Sequence, residues 1–132
     1  MAHRHLLHVD DSEDELFLFR RAFEKAGFES WTLKSAEGGK AALEYFNAVK
    51  DGTTPKPDLA LIDLKMPIVT GFDILDWLRK NDLALPVAIL SSSELKADRD
   101  KALELNAHAY ISKRDTFGEI VEFVRAWRPV PS

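Results

Sequence analysis

Three aspartates, whose carboxylates could bind a metal ion or act as nucleophiles, follow directly after apolar runs of the sequence. Asp10 and Asp11 follow the first run, and Asp63 follows a later one. Carboxylates brought together repel one another, which raises their pKa values unless a cation lies between them. Mg²⁺ meets this need, since it usually binds one or two carboxylates and keeps open positions for phosphate oxygens. An aspartate beside such an ion can attack phosphorus, so the acids predict phosphoryl transfer to a carboxylate.

Two further polar residues complete the predicted site. Ser91 ends another apolar run, and Lys113 follows the last one. The lysine ammonium suits a phosphoryl oxygen as a point charge, and the serine hydroxyl offers a hydrogen bond to another oxygen. Structural needs alone would be better served by Gly, Asn or Thr at these positions. The polar residues together therefore indicate the capture of a phosphoryl group.

The elements that must position these residues alternate between two hydrophobic periods. The predicted strands are 5–9, 30–34, 58–62, 87–90 and 109–112. The predicted helices are 13–26, 39–49, 72–80, 95–105 and 117–127. Strands that alternate with helices predict an α/β fold with a parallel sheet covered on both faces. Function gathers at the carboxyl ends of such strands, so we expect the polar residues to meet at one edge of the sheet.

Local signals mark several helix ends. Ser12 with Glu15 three residues later predicts a capping box at the first helix. Thr116 with Glu119 predicts a second capping box at the last helix. Asn106 predicts a left-handed residue at the end of the fourth helix, because Asn tolerates positive φ better than most residues.

Composition limits the classes of function. The chain has 132 residues, the usual size of one domain, so we expect a single domain over residues 1–132. Cysteine is absent, which excludes disulfides and thiolate metal sites and fits a reducing cytoplasm. The formal net charge of -4 argues against nucleic-acid binding. No apolar run reaches the ~20 residues that a membrane span requires. We therefore expect a cytoplasmic protein that binds neither nucleic acid nor membrane.

Four segments carry a resemblance to a known family. They are His8-Val-Asp-Asp-Ser12, Leu61-Ile-Asp-Leu-Lys-Met-Pro67 with Gly71, Pro86-Val-Ala-Ile-Leu-Ser91 and Ala109-Tyr-Ile-Ser-Lys113. In these segments, and over nearly its whole length, the chain resembles the receiver domains of response regulators in two-component signalling. The resemblance implies a flavodoxin-like, doubly wound sheet of five parallel strands in the order 2-1-3-4-5.

The resemblance also implies roles for the acids. Asp63 would be the phosphoacceptor, which receives a phosphoryl group from a phosphohistidine on a sensor histidine kinase. Asp11 and Asp63 would bind Mg²⁺ directly, together with the backbone carbonyl of Lys65, while Asp10 would act through water. The protein would not be an enzyme in the ordinary sense, because self-phosphotransfer and autodephosphorylation would be its only reactions.

Three other residues match family positions that contact the phosphoryl group or take part in the conformational switch. Ser91 and Lys113 would hold phosphoryl oxygens, and Tyr110 would be the aromatic side chain that changes rotamer as Ser91 moves. One position departs from the family pattern, because Arg114 follows Lys113 where the family usually has a proline, often with a cis bond. A cis bond before a residue other than proline costs about 2.5–4 kcal/mol, so we expect a trans bond here.

The resemblance implies partners as well as a site. The long loop before the third strand, the run 91–94 and the tail 127–131 resemble stand-alone receivers that are paired with bacterial phytochrome kinases. No output domain is expected, because few residues follow the last helical pattern. A receiver without one would act through its own surface. In the family this surface is the face of the fourth helix, fifth strand and fifth helix, where we expect a homodimer or docking on another protein.

Three other functions compete with this interpretation. A metal-dependent phosphatase with an aspartyl nucleophile needs an acid two residues after the nucleophile, where this chain has Lys65. A flavodoxin-like electron carrier needs a Ser, Thr or Gly loop after the first strand to hold phosphate, where this chain has Asp10 and Asp11. A degenerate receiver that serves only as a protein docking module stays open, because Arg114 replaces the usual proline.

Overall fold

The computed structural model describes residues 3–113 and 117–127, in which strands and helices alternate. The strands are β1 (Arg4–Asp10), β2 (Trp31–Glu37), β3 (Leu59–Asp63), β4 (Val87–Ser91) and β5 (Ala109–Ser112). The helices are α1 (Glu13–Lys25), α2 (Gly39–Lys50), α3 (Gly71–Lys80), α4 (Lys96–Glu104) and α5 (Phe117–Ala126). All neighbouring strands are parallel, in the order β2-β1-β3-β4-β5, which confirms the predicted fold class and strand order.

Alternate strand residues contribute to two hydrophobic cores, one on each face of the sheet. Leu7 and Val9 of β1 belong to one core with Phe46 of α2, and this core also includes residues of α3 and α4. Leu6 belongs to the other core with Phe19 of α1 and residues of α5. Successive side chains of a strand point to opposite faces, so a sheet covered on both sides buries its central strands completely. Every residue of β3 and β4 is accordingly buried.

The second strand differs from its predicted bounds. The apolar pattern predicts a strand over 30–34, whereas β2 continues to Glu37. Its whole length pairs with β1, from Trp31 opposite Arg4 to Glu37 opposite Asp10. β2 lies at an edge of the sheet, where polar side chains can remain in solvent while the backbone pairs on one side. Its polar end therefore gave no hydrophobic signal.

The capping box predicted at α1 forms only in part. The Ser12 hydroxyl accepts a hydrogen bond from the backbone N–H of Glu15 at 3.3 Å, as expected. The Glu15 carboxylate does not return to Ser12 but accepts a hydrogen bond from Lys113 Nζ at 2.6 Å. The backbone N–H of Ser12 donates instead to Asp10 Oδ1 at 2.9 Å. The polar groups at the start of α1 are thus engaged with the ends of β1 and β5.

Three further predictions concern the end of α4, the start of α5 and the peptide bond after Lys113. Asn106 has a φ of 73°, which confirms the left-handed residue after α4. Thr116, and with it the second capping box, lies outside the described residues, as does the bond between Lys113 and Arg114. Within residues 3–113 and 117–127, every helix is too short or too polar to cross a membrane.

Candidate functional site

The three aspartates meet at the carboxyl edge of the sheet. One carboxylate oxygen from each of Asp10, Asp11 and Asp63 lies within 4.8 Å of the others. Asp10 and Asp63 are the last residues of β1 and β3, which are neighbours in the sheet. Their exposed fractions are 1% and 4%, whereas Asp11 is exposed. The structure therefore brings two buried carboxylates and one solvent-facing carboxylate together.

The start of α3 lies against the backbone at the end of β3, and a glycine makes this approach possible. The Gly71 N–H donates to the Leu64 carbonyl at 3.0 Å. A Cβ at position 71 would lie 2.9 Å from the Asp63 carbonyl oxygen, closer than real Cβ atoms approach. Thr70 and Asp73 form a complete capping box, so the helix begins one residue earlier than predicted. These contacts hold the start of α3 against the backbone at the end of β3, next to Asp63.

Lys113 reaches the acids from the end of β5. Its Nζ lies 3.0 Å from Asp10 Oδ2 and 3.2 Å from Asp63 Oδ1. A third carboxylate oxygen, Glu15 Oε2, is closer at 2.6 Å. The backbone N–H of Lys113 donates to the Ser91 carbonyl at 2.8 Å, which ties this loop to β4. Burial lowers the pKa of Lys113, but the hydrogen bonds to Glu15 and Asp10 and the charge of Asp63 outweigh burial and hold the pKa above its usual range.

The acid cluster carries more negative charge than Lys113 offsets. Burial, together with a smaller contribution from the hydrogen bond to Glu15, raises the pKa of Asp10 to about 7. Burial also raises the pKa of Asp63 to about 6, although Lys113 opposes this change. A hard divalent cation with oxygen ligands would neutralise such a cluster. The donor set therefore fits Mg²⁺.

Ser91 and Tyr110 are connected through Ser93. Ser91 is fully buried, and its hydroxyl oxygen accepts a hydrogen bond from the Ser93 N–H at 3.0 Å. The Tyr110 hydroxyl donates to the Ser93 carbonyl at 3.2 Å. The Ser93 hydroxyl in turn donates to Asp98, in the first turn of α4, at 2.6 Å. The sequence interpretation missed Ser93, because its only signal was a position two residues after Ser91.

The Lys65 side chain forms an ion pair with a residue of α4. Its Nζ lies 3.4 Å from Asp98 Oδ2, and the side chain is 59% exposed. The ammonium of Lys65 thus faces α4 and the carboxylate that Ser93 also contacts. The metal contact of its backbone carbonyl stays a prediction.

The opposite, amino-terminal edge of the sheet has a different character. A cavity of about 680 Å³ lies there, between the start of β4 and the ends of α3 and α4. Its lining is largely apolar and includes Leu75, Leu78, Leu83, Leu85, Val87 and Leu105. Charged residues such as Lys56, Arg79 and Asp82 also contribute to it. None of the predicted site residues lines this cavity.

Comparisons with known proteins agree with this geometry. The family described as response regulator receiver domain matches residues 6–125. The probable methanogenesis regulatory protein FilR2 of Methanothrix harundinacea is 30% identical, over 96% of this chain and 86% of that protein. The transcriptional regulatory protein PrrA of Mycobacterium tuberculosis is 31% identical over 92% of this chain, which spans only 48% of PrrA.

A solved structure shares the whole fold. The Mn(2+)-bound form of response regulator Rcp1 matches with a TM-score of 0.82, over 98% of this chain and 99% of that chain. Its sequence is 24% identical, so this likeness concerns the fold alone. Together with the family match over nearly the whole described chain, these comparisons show that the chain belongs to the response regulator receiver domain family.

Proposed function

We propose that this protein is the phosphoacceptor of a two-component signalling system and that Asp63 receives the phosphoryl group. One observation carries the proposal: Asp63 is buried beside Asp10 and Asp11, with the Lys113 ammonium 3.2 Å from its carboxylate. Receiver domains accept phosphoryl groups and interact with histidine kinases, so a sensor histidine kinase is the proposed donor. The long loop before β3 supports a kinase of the bacterial phytochrome type.

The proposed chemistry is a transfer between two protein side chains. An oxygen of the Asp63 carboxylate attacks the phosphorus of a phosphohistidine. A P–O bond forms, the P–N bond breaks, and its electron pair returns to the imidazole. Lys113 neutralises charge on the phosphoryl oxygens during the transfer, and the Ser91 hydroxyl donates to one of them. Attack of water on the phosphorus later breaks the P–O bond, releases inorganic phosphate and restores the carboxylate.

Mg²⁺ is the proposed cofactor. Asp11 and Asp63 would hold it directly with the backbone carbonyl of Lys65, and Asp10 would hold it through water. When bound, the ion supplies positive charge to the transferring phosphoryl group. The meeting of three carboxylates within 4.8 Å supports this assignment, because a divalent cation with oxygen ligands fits such a set.

The phosphoryl group would act as a switch through Ser91 and Tyr110. It adds up to about two negative charges at Asp63. When Ser91 turns its hydroxyl towards a phosphoryl oxygen, the Ser93 N–H loses its acceptor. Ser93 also accepts from Tyr110 and donates to Asp98, so its movement changes both contacts. Tyr110 then turns inward, and a local change of charge alters the face of α4, β5 and α5.

That face is the proposed surface for signalling. It includes exposed residues such as Lys101 and Leu103 of α4 and Glu122 of α5. We place a homodimer or another docked protein there. The proposal treats residues 1–132 as one receiver domain that acts in the cytoplasm.

Phosphorylation by a small donor tests the proposal. Purified protein is incubated with Mg²⁺ and acetyl phosphate, and its intact mass is measured. We expect the wild type to gain one phosphoryl group, Asp63→Asn to gain none, and Asp51→Asn, which removes an exposed aspartate, to behave as wild type. Equal labelling of wild type and Asp63→Asn would contradict the assignment, and no labelling of any variant would favour a docking module.

A further inference from the structure

Glu15 makes the shortest contact of the Lys113 ammonium. Its Oε2 lies 2.6 Å from Nζ, compared with 3.0 Å for Asp10 and 3.2 Å for Asp63. We propose that Glu15 is a positioning residue, which holds the Lys113 ammonium beside Asp63 so that phosphoryl transfer finds its cation in place. This inference rests on the proposed function of Asp63. It assigns to Glu15 a role in the reaction beyond the helix cap that its position suggests.

The chemistry of the other two carboxylates explains why the anchor must be Glu15. Asp63 forms the new bond to phosphorus, and Asp10 is a proposed metal residue, so both change partners during the reaction. Glu15 lies outside the group of three carboxylates that could share a metal ion. A lysine ammonium has three donors. It can therefore keep one hydrogen bond to Glu15 and donate another to a phosphoryl oxygen on Asp63, whose carboxylate lies 3.2 Å from Nζ.

The local structure keeps Glu15 in place for this task. Its backbone N–H donates to the Ser12 hydroxyl, and the Ser12 N–H donates to Asp10. Glu15 is thus tied through the first turn of α1 to the acid cluster itself. Lys113 is tied to β4 through its backbone N–H, but its long side chain is 20% exposed and has many rotamers. The contact with Glu15 restricts the side chain to the rotamer that reaches Asp63.

A plain ion pair that stabilises the fold is the competing explanation for this contact. A carboxylate in the first turn of a helix is favourable in any case, because it complements the helix dipole. Three measurements on Glu15→Gln, which keeps the shape and removes the charge, separate the two explanations. They are the rate of phosphorylation by acetyl phosphate, the affinity for Mg²⁺ alone by calorimetry, and the melting temperature. Glu13→Gln is the matched control, because Glu13 is an exposed carboxylate of the same helical turn.

We expect Glu15→Gln to be phosphorylated about tenfold more slowly than wild type, since misplaced reacting groups commonly cost one to two orders of magnitude. Its affinity for Mg²⁺ should stay within about twofold of wild type, because Glu15 is not a proposed ligand. Glu15→Asp keeps the charge but shortens the reach, so its rate should fall between the two. Glu13→Gln should match wild type in both rate and Mg²⁺ affinity.

The outcomes distinguish failure of this inference from failure of the proposed function. If wild type and Glu15→Gln are labelled at the same rate while the melting temperature falls, Glu15 only stabilises the fold and the inference is overturned. A parallel loss of Mg²⁺ affinity and rate would also overturn it, because Glu15 would then act through the metal. If Glu15→Gln does not fold, a wild-type rate in Glu15→Asp would overturn it instead. A wild-type protein that takes no phosphoryl group would overturn the proposed function itself.

Discussion

The two edges of the sheet bury opposite kinds of surface. At the carboxyl edge, Asp10 and Asp63 are buried with Lys113 as their shared cation. At the amino edge, the lining of a cavity of about 680 Å³ is largely apolar. Buried charges destabilise a fold unless they are fully paired, whereas buried apolar side chains stabilise it. The carboxyl edge, where we propose the chemistry, therefore carries buried charges that lower stability, and the apolar cavity lies at the other edge, away from the proposed site residues.

The largest expected effect concerns the cation at the carboxyl edge. Lys113→Ala should lower the rate of phosphorylation by acetyl phosphate about 100-fold, because loss of one preorganised positive group commonly has this cost. The rate is measured by intact mass over time at saturating Mg²⁺. Lys40→Ala, which removes an exposed lysine of α2, serves as the control and should match wild type. If Lys113→Ala is phosphorylated as fast as this control, the cation at the carboxyl edge does not contribute to phosphoryl transfer.

A substitution at the amino edge should lower the stability of the fold and leave the phosphorylation rate unchanged. Leu78→Ala removes a buried leucine of α3 that lines the cavity. We expect the free energy of unfolding to fall by about 2–4 kcal/mol, as for other large-to-small core changes. The phosphorylation rate of the folded protein should not change. Urea unfolding and labelling by acetyl phosphate check the two parts, and a slowed rate at full folding would show that the edges are coupled.

The buried carboxylates at the carboxyl edge should make the stability of the fold depend on pH. The pKa of Asp10 rises from its ordinary 3.8 to about 7 in the fold, chiefly through burial. Between these two values the folded state holds the proton more tightly than the unfolded chain, so ionisation of Asp10 lowers stability as the pH rises. Asp10→Asn lacks this charge. Without divalent metal, the melting temperature of Asp10→Asn minus that of wild type should therefore increase by a few degrees between pH ~4 and pH ~7.

The result that would contradict this prediction is a difference in melting temperature that stays flat or shrinks over the same pH range. Added Mg²⁺ provides the second arm of the experiment. It should stabilise wild type at neutral pH more than Asp10→Asn, because binding to the folded state raises its stability and the variant lacks one carboxylate of the cluster.

The smallest expected effect is at the connection between the site and the surface. Ser91→Ala should still accept a phosphoryl group on Asp63 but transmit less of the change. Hydrogen exchange is compared with and without beryllofluoride, which mimics the phosphoryl group. In wild type, amides of α4 and β5 should change protection while those near Leu83 at the amino edge do not. In Ser91→Ala, the change in α4 and β5 should be reduced, and a full wild-type change would show that another residue carries the signal.

Much of the fold could be predicted from the sequence, because local patterns and strand ends carry it. The apolar runs that became β3 and β4 indicated central strands, and the residues at their ends indicated one polar edge. The alternation of strands with helices predicted the layers, and the resemblance supplied the strand order. Asn106 likewise confirmed its predicted backbone conformation. These features depend on residues close together in the chain or on a regular period.

The parts that sequence analysis missed depend on contacts between distant residues. Glu15 was interpreted as a capping residue, yet it binds Lys113, which lies 98 positions away. The end of β2 is polar, and only its pairing with β1 makes it a strand. Ser93 accepts a hydrogen bond from Tyr110, and no local spacing in the sequence relates these two residues. A spacing rule cannot find such partners, because the fold itself brings them together.

Chemical trapping identifies the aspartate that carries the phosphoryl group. The wild-type protein is phosphorylated with acetyl phosphate and Mg²⁺, reduced with borohydride, and digested for peptide mass analysis. Borohydride reduces an aspartyl phosphate to homoserine, so the modified residue can be read from the fragment masses. We predict homoserine at position 63 and unmodified aspartate at positions 10 and 11. Homoserine at position 10 or 11, or at no position, would overturn the assignment of the phosphoryl group to Asp63.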